Sequence, residues 1–269
     1  MVEAVRIYGH LAAARVRADW QYRTSFVLFT LGQALITLLD FAAIAVIFGR
    51  VDVIEGWSLA EVAFLYGAGG TAFGLADCFI SAVERCSQRI KDGAFDRLLI
   101  RPLGPLLQLS AEEFAFRRFG KLAQAMTVFG ISMAAVDVDW TPGRVLMVPA
   151  MVLAGFAIFG AIFVITSSLA FWTVDTQEFA NAFTYGGNFM TQYPLAVFAP
   201  WMRRLAMLTG VAFVNYVPAL YVLGRDGADE RFGLPAAALF LSPAVGLAAA
   251  LLAAWVWRVA IRHYRSTGS

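Results

Sequence analysis

The most specific segment of the sequence reads Lys91-Asp92-Gly93-Ala94-Phe95-Asp96-Arg97-Leu98-Leu99-Ile100-Arg101-Pro102-Leu103. It lies at the centre of residues 84–121, a long polar stretch in a chain otherwise built from apolar runs. That stretch holds eight of the 21 Lys and Arg residues. Lys and Arg beside membrane spans resist translocation, so a basic loop between two spans is expected on the cytoplasmic side.

The composition is that of a membrane protein. Of the 269 residues, 60% are hydrophobic and only 15% are charged, too few to cover the surface of a soluble domain. Apolar runs of about 20 residues recur, and such a run crosses the hydrocarbon layer as a helix. The sequence therefore predicts an all-α integral membrane protein. It offers no basic, aromatic-interleaved face for nucleic acid.

The apolar runs predict spans at about residues 24–48, 59–83, 119–136, 145–172, 179–199 and 234–257, with a further apolar piece at 205–223. Basic residues flank both ends of the chain, so both ends are expected in the cytoplasm and the number of spans should be even. Asn215 and Pro218 favour a broken helix in the piece 205–223, which then enters and leaves on one side. The prediction is a single transmembrane domain over residues 1–269, with six spans and an outer re-entrant helical hairpin at 200–233, between spans 5 and 6.

The first 23 residues carry charge at helical spacing. Glu3, Arg6, His10 and Arg17 fall on one side and apolar residues on another. This pattern predicts an amphipathic helix lying in the membrane interface. A short solvated extension of the first span is the alternative. At the mouth of span 3, Lys121 is expected to extend towards the inner headgroups.

Two kinds of residue inside the spans are candidates for function. Asp40 and Asp77 are carboxylates at membrane depth, where a charge is costly. They would serve either in proton coupling or as interhelical hydrogen-bond and cavity-lining groups. Gly67, Gly70 and Gly74 make one face of span 2 nearly bare, which favours close packing with another helix of the chain or across a dimer axis.

The basic loop has a specific local prediction. A helix leaving the membrane after Val83 should end with Gly93 in the left-handed position that follows a helix C-terminus. After it, an apolar ridge with basic flanks is expected, formed by Phe95, Leu98, Leu99, Arg97 and Arg101. Pro102 should stop the next helix. Such a segment suits a groove on a soluble protein, and the alternative is a solvated loop on anionic lipid headgroups.

Catalytic and metal-binding patterns find little support. Gly120-Lys121 has Leu122 where a nucleotide-binding loop needs Ser or Thr. His10 and His263 are the only histidines and each lies in a basic tail, so neither a metal set nor a Ser–His–Asp arrangement is expected. Cys78 and Cys86 lie about 12 Å apart on a helix, too far for a disulfide.

The run from Ile90 to Leu103 resembles the segment that permeases of the ABC-2 type, the membrane subunits of ABC exporters, carry between spans 2 and 3. The resemblance extends over the whole chain, including Tyr193-Pro194 and Tyr216–Ala219 in the outer hairpin. It implies a non-enzymatic subunit of the cell membrane that exports a substrate which the sequence does not identify. The implied partners are membrane lipid, two copies of a separate ATPase that binds MgATP, and a second permease, identical or homologous.

The resemblance also implies roles for particular residues. The segment 84–118 would be the cytoplasmic coupling loop. ATPase-coupling residues within it would be Arg85, Arg89, Ile90, Lys91, Gly93, Phe95, Asp96, Arg97 and Arg101. The outer gate would comprise Tyr193, Pro194, Asn215 and Pro218. The alternative function from another class is an ion- or proton-coupled secondary transporter that uses Asp40 and Asp77.

Overall fold

A computed structural model describes residues 23–101, 103–112, 118–173, 176–225 and 235–264, with a few isolated positions before residue 23. The predicted interfacial helix over 1–23 therefore lies almost wholly outside the described residues, as does Pro102. Within the described ranges the chain is all-helical, apart from one isolated bridge between Ile54 and Trp57.

The helices are α1 Arg23–Phe48, α2 Leu59–Phe79, α3 Cys86–Lys91, α4 Asp96–Leu99, α5 Pro105–Glu112, α6 Phe119–Ala135, α7 Pro142–Ser168, α8 Gln177–Thr191, α9 Pro200–Leu208, α10 Tyr216–Val222 and α11 Ser242–Arg262. Short 3-10 turns link some of them, at Ser81–Arg85, Leu169–Phe171, Val211–Phe213 and Ala236–Phe240.

Four of the described helices are long and apolar enough to cross a membrane: α1, α2, α7 with its following turn, and α11. Helices α6 and α8 have 17 and 15 residues and fall short of that length. Helix α9 and the segment Val211–Val222 form a pair bent by 77°. The all-helical membrane architecture is thus confirmed, while the count of six spans does not follow from helix length alone.

Helix α2 is the centre of the bundle. It begins with a capping box, in which Ser58 Oγ accepts from the Glu61 amide and the Glu61 side chain accepts from the Ser58 amide. It is buried over most of its length and packs on α6, α7 and α8. Helix α7 also packs along α11, and α1 packs mainly on α6. The outward face of α1 is apolar and exposed, as a lipid-facing helix requires.

The glycine face of α2 is covered by α6 of the same chain. The contacts are Gly67 with Phe129, Gly70 with Ala125, and Gly74 with Leu122. A Cβ added at Gly67 would lie 2.5 Å from the Phe129 Cα atom, so only glycine permits this approach. Of the two packing alternatives, the structure shows the one within the chain.

The bundle has two ends, which we name by the loops there. The loop end holds residues 80–112, and the far end holds residues 49–58. Helices α1 and α6 run from the loop end to the far end, and α2, α7 and α11 run back. Helix α8 begins at the loop end and ends at mid-depth, where Thr191 lies against Gly69 in the middle of α2. The bent pair turns at mid-depth, where Val214 contacts Gly155. It returns to the far end, where Arg225 meets Glu61.

Candidate coupling site and intramembrane polar cluster

The loop end begins where α2 stops. The span predicted to reach Val83 ends as an α-helix at Phe79, and a 3-10 turn leads into α3. Gly93 has φ +65°, and its amide donates to the Ile90 carbonyl at 3.2 Å. This is the left-handed helix end that the sequence predicts at Gly93. It turns the chain sharply back beneath the bundle.

The predicted apolar ridge is not a surface. Phe95 is fully buried and Leu98 is 2% exposed. The Phe95 ring packs against Phe171 and Tyr264, with centroid distances of 5.2 and 4.9 Å. Tyr264 donates a hydrogen bond of 2.7 Å to Asp96 Oδ1. The apolar side chains form a small core with the ends of α7 and α11, because those ends supply aromatic rings at the same depth.

Helix α5 fixes the other side of this core. Gln108 is buried, and its Nε2 atom donates to the Leu98 and Leu103 carbonyls at 3.0 and 2.7 Å. The loop from α4 to α5 is therefore tied to α5 by side-chain hydrogen bonds, and α5 packs on the turn Ser81–Arg85. We call the described residues of 85–112 the foot; it carries the coupling residues that the resemblance implies.

The outer surface of the foot is basic with an apolar centre. Arg97 and Arg101 are exposed, Leu99 is 41% exposed and Ile100 is 83% exposed. We call Lys91, Arg97, Leu99, Ile100 and Arg101 the loop surface. Arg85 is exposed nearby, whereas Arg89, Ile90, Gly93 and Asp96 are half-buried. Of the three apolar residues of the predicted ridge, Leu99 alone is exposed, and Ile100 is an exposed apolar residue that the prediction did not include.

A polar network joins the loop end to three helices. The Arg118 guanidinium, just before α6, forms an ion pair with Asp77 on α2 and also contacts Ser81. Glu84 lies beside them, with Oε1 3.5 Å from Thr184 Oγ1 on α8. Burial raises the pKa of Glu84 to about 7, and Arg118 opposes that rise. In this structure Asp77 therefore forms an ion pair between α2 and the start of α6. Its role in proton coupling stays a prediction.

A second polar cluster lies within the helices. A cavity of about 50 Å³ is lined by Asp40, Tyr66, Lys121, Gln124 and Asn188, among others. That volume holds a few water molecules. Asn188 is 7% exposed, and its Oδ1 atom has no hydrogen-bond partner among the described residues. A buried oxygen without a partner indicates that water or a ligand completes the site.

Lys121 differs from its prediction. Its Nζ atom lies 4.3 Å from the centroid of the Phe73 ring and 6.0 Å from that of Tyr185. The ammonium group therefore turns inward rather than towards headgroups, because the Phe73 face and the polar cavity compensate its charge. No sequence pattern points to this, since the side chains that attract it come from α1, α2 and α8.

The residues of the implied outer gate lie around the bent pair. Asn215 is 2% exposed, and its Nδ2 atom donates to the carbonyls of Leu65 and Thr191 at 2.8 and 2.6 Å. These bonds satisfy backbone oxygens of α2 and α8 at membrane depth. Pro218 is buried in α10, and Tyr193 is half-buried, its ring beside Phe189. Pro194 precedes the 3-10 turn that follows α8.

At the far end a salt bridge closes the bent pair onto α2. Arg225 Nε lies 2.6 Å from Glu61 Oε1 and its second nitrogen 2.9 Å from Oε2. The same guanidinium lies 4.6 Å from the centroid of the Trp57 ring. Sequence reasoning missed this pair because 164 residues separate its members.

Within the described ranges, no group of three or more His, Cys, Asp or Glu side chains is placed to hold a metal ion. Comparison with known proteins shows to which family the chain belongs. The sequence model of the ABC-2 family transporter proteins matches residues 34–268. No curated protein and no solved structure matches the chain. The match begins at residue 34 and extends past the last described residue, so it includes the loop end, the polar cluster and the bent pair. The chain therefore belongs to the ABC-2 family of transporter proteins.

Proposed function

We propose that this chain is the membrane subunit of an ATP-driven exporter and that its loop surface binds a separate ATPase subunit. Membership of the ABC-2 family supports transport, and the loop surface supports the coupling role. The observation that carries the proposal is the exposed Ile100 between Arg97 and Arg101. An apolar side chain with basic flanks on a buried, hydrogen-bonded foot suits the groove of a protein partner.

The proposal includes a topology. Helix α6, and α8 together with residues 192–199 that follow it, would cross the membrane with the four longer helices, giving six spans. The bent pair would be a re-entrant hairpin on the outer side, and both chain ends would face the cytoplasm. The alternating direction of the six helices supports this arrangement, because α1 starts and α11 finishes at the loop end. A 17-residue helix spans about 25 Å, which slight thinning of the bilayer accommodates.

The coupling would run through the polar network. ATP binding in the partner would draw the foot towards a second permease, identical or homologous, with two ATPase copies completing the transporter. Arg118 and Glu84 join the loop end to α2, α6 and α8, so a displacement of the foot would reach the helices that line the polar cavity. The physical requirement is that the partner contacts the foot differently in its ATP-bound and ATP-free states.

The test is co-purification from the native membrane. A tagged chain is captured in mild detergent, the captured proteins are identified by mass spectrometry, and ATP hydrolysis is measured. We expect an ATPase to be captured by the unmodified chain and at least about tenfold less by the double variant Arg97→Glu/Ile100→Asp, since losing about 1.4 kcal/mol at an interface is tenfold in affinity.

The matched control is Arg50→Glu/Val53→Asp at the far end. It changes one exposed basic and one exposed apolar residue at the same spacing. This control should capture the ATPase as the unmodified chain does. Equal capture by both double variants, or the absence of any ATPase from the unmodified sample, would overturn the proposal.

A secondary transporter is the second candidate, because Asp40 and Lys121 line one cavity within the membrane. Asp77 is less suited to that role, since Arg118 already pairs with it. The purified chain in liposomes without nucleotide distinguishes the two functions. Transport driven by an ion gradient and abolished by Asp40→Asn would favour the secondary transporter, whereas transport only with ATPase and ATP favours the exporter.

A further inference from the structure

An apolar groove opens at the loop end between α5 and α11. Its volume is about 610 Å³, and it is lined by Phe79, Leu106, Leu107, Trp257 and Ile261, among others. This size falls within the range of ligand sites, about 300 to 1,000 Å³. It is also large enough for an acyl chain. The groove is separate from the polar cavity, which lies among α1, α2, α6 and α8.

The groove lies at the depth of a membrane surface. Trp257, Arg258 and Ile261 come from the last two turns of α11, one of the helices able to span a membrane. Arg258 is four residues from the end of that helix, or about 6 Å. Earlier on α11, Leu251, Leu252 and Trp255 expose an apolar face. The groove therefore opens at one end of a helix whose exposed residues are apolar, as lipid-facing residues are.

Among the residues that the structure describes, one charged side chain lines this groove. Arg258 is exposed, and its long side chain can keep the guanidinium at headgroup level while its methylene groups cover apolar surface. A guanidinium matches the geometry of a phosphate and binds it through two hydrogen bonds. An apolar groove with an arginine among its lining residues has the charge distribution that complements an anionic phospholipid.

From these observations we infer that the groove binds an acyl chain of an anionic phospholipid from the leaflet at the loop end, with Arg258 on the phosphate. The lipid would connect α5, which anchors the foot, to the end of α11. The composition of the leaflet would then affect how firmly the foot is held. This inference depends on the family and the groove, and not on the proposed ATPase partner.

The experiment counts retained lipid on the purified full-length chain. The protein is equilibrated with mixed micelles of phosphatidylglycerol and phosphatidylcholine, and bound lipid is measured by native mass spectrometry. The unmodified chain should retain phosphatidylglycerol in preference to phosphatidylcholine. Arg258→Gln should reduce that preference about fivefold, since one basic residue near a membrane surface contributes about 1 kcal/mol towards anionic lipid.

The matched control is Arg262→Gln, which removes the same charge one turn further along α11 from a residue that does not line the groove. It should leave the preference unchanged. Leu107→Trp, which fills the groove, should lower retention of both lipids. Equal effects of the two arginine variants would show diffuse surface attraction and overturn the inference. Full retention by Leu107→Trp, in protein that elutes as a single folded species, would do the same.

Discussion

The packing of α2 on α6 yields the prediction whose magnitude is best defined. In Gly67→Ala, the new methyl carbon would lie 2.5 Å from Phe129 Cα and 2.6 Å from Phe129 N. Both are backbone atoms, so no side-chain rotation relieves the overlap and the two helices must separate. Overpacking of this kind costs about 1 to 3 kcal/mol. Replacing glycine by alanine within a helix returns up to about 1 kcal/mol.

A second glycine on the same helix pair isolates the packing contribution. Gly130 lies within α6, and a Cβ added there would meet nothing within 4 Å. Gly130→Ala therefore gains the helix preference without the overlap, and the difference between the two variants is the overpacking cost alone, about 1 to 3 kcal/mol. Gly70→Ala should fall between them, because its methyl would lie 3.0 Å from the Ala125 methyl.

The assay is thermal unfolding of the three variants in one detergent. For domains of about 150 to 250 residues, 1 kcal/mol shifts Tm by about 2 to 4 °C. We expect Gly130→Ala to match or exceed the unmodified chain, with Gly67→Ala lowest and at least about 2 °C below Gly130→Ala. Indistinguishable Tm values for these two variants would refute the close contact between α2 and α6.

Three further predictions concern polar contacts at the two ends. A double-mutant cycle on the free energy of unfolding, with Arg225→Gln and Glu61→Gln, should give a coupling energy of about 1 kcal/mol or more, because the salt bridge is bidentate and partly buried. Additive effects of the two substitutions would contradict it. Tyr264→Phe should lower stability by about 1 to 2 kcal/mol through loss of its hydrogen bond to Asp96, while the ring contact with Phe95 remains; an unchanged Tm would show that the bond contributes nothing. Glu84 binds a proton more tightly in the folded chain, with a pKa of about 7 against an ordinary 4.5, so its contribution to stability is full below about pH 4.5 and is lost as pH rises to about 7. Glu84→Gln should reduce the fall in Tm between pH 5 and 8, and an unaltered pH profile would contradict the buried carboxyl.

Some of the fold was readable from the sequence because local chemistry determined it. Glycine is the residue that tolerates the φ of +65° at Gly93, so the end of α3 followed from one residue. The glycines of α2 predicted a close contact with another helix, and the structure identified that helix as α6. The apolar runs predicted the positions of the four long helices, because an apolar run of about 20 residues is typical of a membrane-spanning helix.

Other features depended on residues far apart in the sequence. The ridge was predicted as a surface because Phe95 and Leu98 stand among charges, yet rings from the ends of α7 and α11 cover Phe95. Tyr264 lies 168 residues from its partner Asp96. Arg118 is 41 residues from Asp77, so the ion pair left no local pattern. Apolar residues of a loop are therefore poor guides to its outer surface until the neighbouring helix ends are known.

The proposed coupling role requires that the loop surface faces the cytoplasm, because an ATPase can bind it only from there. Labelling from one side of the membrane tests that orientation. Single cysteines are placed at Lys91 on the loop surface and at Val53 at the far end, both exposed. The native thiols of Cys78 and Cys86 are buried, and burial raises the pKa of Cys86 to about 12. Their background reaction with a maleimide should therefore be small.

Intact cells are treated with a membrane-impermeant maleimide, and labelling is compared before and after permeabilisation. The proposed topology predicts that the cysteine at position 53 reacts in intact cells and that the cysteine at position 91 reacts only after permeabilisation. Labelling of position 91 in intact cells would place the loop surface outside the cell and contradict the coupling role.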